Sequence, residues 1–107
     1  MTQYQIPTNA TLDKYGLSAQ EWETILNRQG NICPICKKES GTGRYVTDHK
    51  HVKGWKNMPP EQRKLYVRGI TCWYCNHWVL SRGITVEKLQ NAVEYLQRAE
   101  ERIIFLL

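Results

Sequence analysis

The chain has 107 residues, a formal charge of +5, four cysteines and three histidines. That length holds one domain at most, with a core thin enough that a metal ion or a second subunit would relieve it. No apolar run approaches the roughly 20 residues of a membrane span, and residues 1–9 are polar apart from Tyr4 and Ile6, so neither a membrane partner nor a secretory signal is expected.

Residues 1–14 show no convincing period and are expected as an extended arm. Leu17-Ser18-Ala19-Gln20-Glu21-Trp22 then opens a helix: Ser18 can cap the third amide, Glu21 can reach back to the Ser18 amide, and Leu17 can staple onto Trp22. Trp22, Ile25 and Leu26 share a face of that helix, and Gly30 supplies its stop. Cys33-Pro34-Ile35-Cys36 reads as a tight knuckle, and Ser40-Gly41-Thr42-Gly43 as a flexible turn. Arg44-Tyr45-Val46-Thr47 has strand character and delivers Asp48 and His49 at its end. Residues 55–64, with Met58-Pro59-Pro60 in their middle, read as a loop. Residues 65–71 form a second strand with Gly69 at a bulge. After Cys72-Trp73-Tyr74-Cys75, residues 76–80 make a short helix ended by Gly83.

Thr85 caps a last helix over residues 86–105, whose apolar positions Val86, Leu89, Val93, Leu96 and Ile103 recur every three or four residues. The closing Ile103-Ile104-Phe105-Leu106-Leu107 is apolar enough to need burial, in this chain or in a homodimer formed through this helix. The expected domain is therefore single, with residues 1–14 an arm, 15–83 a core and 84–107 a C-terminal helix.

Two C-x-x-C pairs are the strongest chemical signal. In a reducing cytoplasm such pairs bind metal more often than they oxidise. Each turn offers two sulfurs, so Cys33, Cys36, Cys72 and Cys75 complete a tetrahedral Zn²⁺ site. An all-cysteine shell has no open position, so this zinc organises structure rather than performing chemistry, and its binding energy offsets the small core. The same staple would bring the segment after the first knuckle beside the one after the second. Asp48 offers a carboxylate and Asn76 an amide oxygen, a hard donor set suited to Mg²⁺ or Mn²⁺. His49 and His51 add imidazoles, and a free His49 could take a proton from an attacking water. Singly, each residue reads more readily as structural: an Asp-His pair as a solvated turn, Asn76 as a helix cap. Their placement relative to the cysteines is what favours a hydrolytic centre.

Cys33-x-x-Cys36, Asp48-His49-x-His51 and Val67-Arg68-Gly69-Ile70-x-Cys72-x-x-Cys75-Asn76 together resemble the phage recombination endonuclease VII branch of the HNH, or ββα-metal, nucleases. Tyr15-Gly16-Leu17-Ser18 and Gln29-Gly30 extend the likeness over residues 15–83. The resemblance implies an α+β fold, a β-hairpin and helix clasping one divalent ion with zinc nearby, flanked by N- and C-terminal helices. It matches Asp48 and Asn76 to the metal ligands, His49 to the general base and His51 to a second active-site histidine. Two departures stand out. Residues 52–66 are longer and more basic than the short turn usual there. Val79 also occupies a position where some members carry an acidic metal contact.

The activity these expectations describe is Mg²⁺- or Mn²⁺-dependent hydrolysis of DNA to 5′-phosphate and 3′-hydroxyl ends, in a bacterial host cytoplasm if phage-encoded. Lys50, Lys53, Lys56, Arg63, Lys64 and Arg68 would contact phosphates. Trp55 and Tyr66 would either stack on distorted bases or close a small satellite core. The competing classes are a non-catalytic zinc module that binds DNA or protein, indifferent to His49→Ala, and an assembly protein dependent on its last helix.

Overall fold

Each helix of the N-terminal half begins and ends where a side chain or a glycine satisfies the exposed backbone groups. The computed structural model describes residues 4–81 and 83–106, with side chains through Glu100. Helix α1 (Asn9–Tyr15) starts at Thr8, whose hydroxyl accepts from the Thr11 amide, and stops at Gly16 with φ 70°. A Cβ at Gly16 would overlap the carbonyl of Pro60, so the left-handed turn and the close approach both demand glycine there. This helix replaces the second half of the expected extended arm. Its seven residues bury a single leucine, Leu12, too few to set up a readable period. Residues 1–3 lie outside the described residues.

Helix α2 (Ala19–Arg28) has the expected capping box, Ser18 Oγ accepting from the Glu21 amide and Glu21 Oε1 from the Ser18 amide, each at 3.0 Å. Its Trp22 and Leu26 are fully buried. They join Leu12, Leu17, Tyr45 and Ile70 in the core, with Tyr4, Tyr15, Ile25 and Val67 around the edge. Trp22 Nε1 donates to Thr47 Oγ1 at 3.1 Å, so the buried indole has its partner on the sheet.

The sheet is a two-stranded antiparallel hairpin of β1 (Val46–His49) and β2 (Val67–Thr71). Its register pairs Val46 with Thr71, Thr47 with Ile70 and Asp48 with Gly69, then shifts so that His49 faces Val67. Arg68 is the residue left over, so the bulge falls on Arg68, beside the expected Gly69. The Lys50 amide donates to the Tyr66 carbonyl at 2.8 Å and carries the pairing one step past β1.

The excursion between the strands is not the irregular loop its prolines suggest. It holds a 3₁₀ turn (Trp55–Asn57), a short helix α3 (Pro60–Arg63) and a second 3₁₀ turn (Lys64–Tyr66). Pro60 is tolerated because it sits at the first helical position, where no amide is required. Helix α3 lies against α1, with Arg63 Nη2 donating to the Asp13 carbonyl at 3.2 Å.

Cys75–Val79 forms a π-helical turn, the expected short helix with wider winding. Helix α4 (Val86–Leu106) follows. Thr85 Oγ1 caps it by accepting from the Lys88 amide at 3.1 Å. The apolar stripe of α4 is open to solvent, with Val86 71%, Val93 54% and Leu96 60% exposed. The burial expected for the side chains of residues 103–107 lies outside the described residues. The whole is α+β, with four cysteines drawn together at one end of the hairpin.

Candidate functional site

The two knuckles meet as their spacing requires. The ligand atoms of Cys33, Cys36, Cys72 and Cys75 all lie within 4.8 Å of one another, and Cys36 Sγ is 3.9 Å from Cys72 Sγ. Four sulfurs about 2.3 Å from a zinc ion stand roughly 3.8 Å apart, so this cluster is close to a tetrahedral site. The first knuckle is closed by the Lys37 amide on the Cys33 carbonyl (2.9 Å) and the Cys33 amide on the Lys38 carbonyl (3.0 Å). In the second, the Cys75 amide donates to Cys72 Sγ at 3.3 Å. Burial raises the Cys33 pKa, but amides of Cys36, Cys72 and Ile35 directed at its sulfur prevail and bring it down to about 7. Cys75 shifts the other way, pushed up by burial and by the three neighbouring thiols. A divalent cation relieves that crowding by taking all four as thiolates, so the donor set fits structural zinc.

Strand β1 leads from this cluster to the polar centre. Asp48 is 5% exposed, and its carboxylate is held by the Arg68 guanidinium: Nε to Oδ2 at 2.8 Å and Nη2 to Oδ1 at 2.9 Å. Arg68 reaches it because the bulge frees that residue from strand pairing opposite Asp48. The pairing holds Arg68 above the usual arginine pKa, chiefly through these hydrogen bonds.

His49 lies in an aromatic nest. Its ring stacks on Trp55 with centroids 4.1 Å apart and planes 21° from parallel, and it packs against Tyr15 at 5.6 Å and His51 at 4.6 Å. Burial, then the adjacent His51, depress the His49 pKa below its ordinary 6.5, against the opposing pull of Asp48. The imidazole is therefore neutral at neutral pH, the form that can accept a proton. Tyr15 closes the nest, its phenol pKa raised by burial and by the Asp48 charge.

The remaining expected residues divide among distinct surfaces. His49, His51, Lys53, Trp55 and Lys56 border an open cleft of about 730 Å³. Lys50 and Arg68 border an adjacent one of about 380 Å³, and His51 lines both. Arg63 and Lys64 face elsewhere. Arg63 lies over the Trp55 ring and bonds to α1, while the Lys64 ammonium pairs with Glu21 along α2. Trp55 is 5% exposed, so of its two readings the structure takes satellite packing over base stacking. Asn76 is half-buried at the second position of the π-helical turn, its amide on the Cys72 carbonyl at 3.1 Å.

Two positioning residues went unassigned in the sequence. Tyr15, like Gln29, counts in the sequence only towards the family likeness, with no role of its own. Gln29 ends α2 and acts as a surrogate strand: its Nε2 donates to the Ile70 carbonyl at 2.7 Å and its Oε1 accepts from the Ile70 amide at 2.9 Å. It thereby fastens β2, and Arg68 with it, to the helical layer. Nothing in its residue type separates it from an ordinary helix-terminal glutamine.

Residues 8–98 match the sequence family of recombination endonuclease VII. The chain is 33% identical over 89 residues to the Gene 59 protein of Mycobacterium phage D29, covering 81% of this chain and 47% of that relative. It is 31% identical over 87 residues to the Gene 59 protein of Mycobacterium phage L5, covering 79% of this chain and 46% of that one. The chain thus spans about half the length of the curated relatives it matches. No solved structure matches it.

Proposed function

Because the chain belongs to the recombination endonuclease VII family, we propose that it is a metal-dependent DNA endonuclease with a zinc-stapled HNH-type (ββα-metal) centre. The observation that carries this reading is His49 in its aromatic nest, its pKa lowered chiefly by burial, one residue from the buried carboxylate of Asp48. Asp48 and the Asn76 amide oxygen would hold one Mg²⁺ or Mn²⁺, a donor set suited to a hard cation. To hold such an ion, Asp48 would have to give up part of its contact with Arg68. When bound, that ion supplies charge neutralisation at the scissile phosphate and the departing 3′ oxygen.

His49 takes the proton of the attacking water, and the wall of Trp55 and Tyr15 keeps its ring oriented and uncharged. Arg68, released from Asp48, turns to a phosphate oxygen. Lys53 and Lys56 on one side of His51, and Lys50 on the other, track the DNA backbone. The products are a 5′-phosphate and a 3′-hydroxyl. Branched or otherwise distorted DNA is the substrate we favour, cut in a bacterial host cytoplasm, since the relatives are phage proteins. Two centres facing each other across a junction would come from a homodimer joined by the open stripe of α4.

A second reading draws on the ion pair itself. Arg68 engages both oxygens of Asp48, which favours a zinc-dependent binding module without chemistry. Incubating zinc-loaded protein with linear, nicked and four-way DNA separates the two. Cleavage supported by Mg²⁺ or Mn²⁺ and lost in His49→Ala upholds the nuclease. Binding without cleavage under either ion leaves the module.

A further inference from the structure

The four tryptophans divide sharply. Trp22 and Trp55 are buried, whereas Trp73 and Trp78 are 60% and 61% exposed. Trp73 and Tyr74 are the two residues between Cys72 and Cys75, and Tyr74 is 63% exposed. The Trp73 ring stacks on His77 at 4.7 Å with planes 10° apart, and His77 meets Trp78 edge-on at 4.7 Å and 87°. None of these rings joins the hydrophobic core.

Their backbone is fixed by the cysteine cluster and by the π-helical turn Cys75–Val79. The rings are thus presented ready-made, and docking on them costs little ordering entropy. Charge narrows the partner. The sequence holds no carboxylate between Glu61 and Glu87, and the facing knuckle exposes Lys37 and Lys38 with a single carboxylate, Glu39. Flat aromatic faces on a segment without carboxylates, with two lysines to one glutamate on the facing knuckle, match nucleobases on a phosphate backbone.

We infer that the face formed by Trp73, His77 and Trp78 is a stacking surface for unpaired bases of the DNA. The inference deepens the nuclease reading and rests on it for the identity of the nucleic acid. It places base recognition on the zinc knuckle, away from the buried Trp55, and makes the aromatic face blind to fully paired duplex.

The test uses zinc-loaded His49→Ala protein, so that binding is read without cleavage. Fluorescence anisotropy follows a labelled oligothymidine and a paired duplex of equal length. Adding Trp73→Ala and Trp78→Ala should weaken oligothymidine binding by about tenfold or more, and duplex binding by no more than about twofold. In protein with all four tryptophans, oligothymidine should quench tryptophan emission, a readout that needs no aromatic substitution. Unchanged oligothymidine affinity, equal loss on both DNAs, or no quenching would overturn the inference. So would a fall in particle mass with DNA binding intact, which would make this a contact between copies. Failure of the nuclease reading looks different: DNA still binds through the rings, but protein with His49 intact cuts nothing in Mg²⁺.

Discussion

Arg68 grips Asp48 with two parallel hydrogen bonds of 2.8 and 2.9 Å, across a hairpin whose bulge is Arg68 itself. The carboxylate is 5% exposed, so it needs that partner. Arg68→Ala should therefore cost stability, by roughly 2 kcal/mol. That is less than a fully buried pair would lose, because the Arg68 side chain is 37% exposed and water screens it. Arg68→Lys keeps the charge but not the fork and should fall between. Urea unfolding of the three proteins checks the order.

The pH dependence follows from the His49 environment. Its pKa is lowered from 6.5, with burial the chief cause. As a general base it stays competent below pH 6.5, and the acidic limb of the cleavage rate should lie under that value. Stability has the same sign. The unfolded chain takes up the proton first as pH falls, so the His49 contribution is whole above 6.5 and is lost on descending towards the folded pKa. Trp55→Leu opens the wall and should move the acidic limb back towards 6.5. A single-turnover rate profile of both proteins measures the shift.

The parts governed by short-range rules are legible in the sequence. The capping box at Ser18 and Glu21, the two knuckles and the long final helix each follow from a few neighbouring residues. Helix α1 escaped because one buried leucine sets no period. Helix α3 escaped because Pro59 and Pro60 read as breakers, although Pro60 stands where a helix accepts proline. The partners of Asp48 and Trp55 depend on the bulge at Arg68 and on α1 folding over α3. Those are tertiary facts that no local pattern encodes.

Gln29 bonds twice to the backbone of Ile70, so its removal should loosen β2 more than an ordinary surface substitution would. Gln29→Ala leaves the buried carbonyl and amide of Ile70 without these partners, at about 1–3 kcal/mol. Faster hydrogen exchange at the Ile70 amide, measured by NMR, should accompany the loss. Exchange unchanged there would mean that water replaces the glutamine.

Zinc content tests the staple. Purified protein should carry one zinc per chain by elemental analysis. Cys72→Ser should lower that ratio and drop the Tm, because metal binding here is part of folding free energy. His49→Ala should keep the zinc, since His49 contributes nothing to the cysteine cluster.

The open stripe of α4 gives a prediction about assembly. Val93→Asp and Leu96→Asp place charge on positions 54% and 60% exposed in the single chain, so they should leave its fold intact while splitting a dimer. Light scattering coupled to gel filtration reads the mass. A mass indifferent to both changes would remove α4 from any self-association.

On the proposed reading, Asp48 and Asn76 share one divalent ion beside His49. Mn²⁺ titration of zinc-loaded protein, followed by electron paramagnetic resonance, reads that site without requiring turnover. One Mn²⁺ should bind per chain, about tenfold or more weakly in Asn76→Ala and in Asp48→Asn, and with little change in His49→Ala. Binding that ignores both Asp48→Asn and Asn76→Ala would contradict the claim.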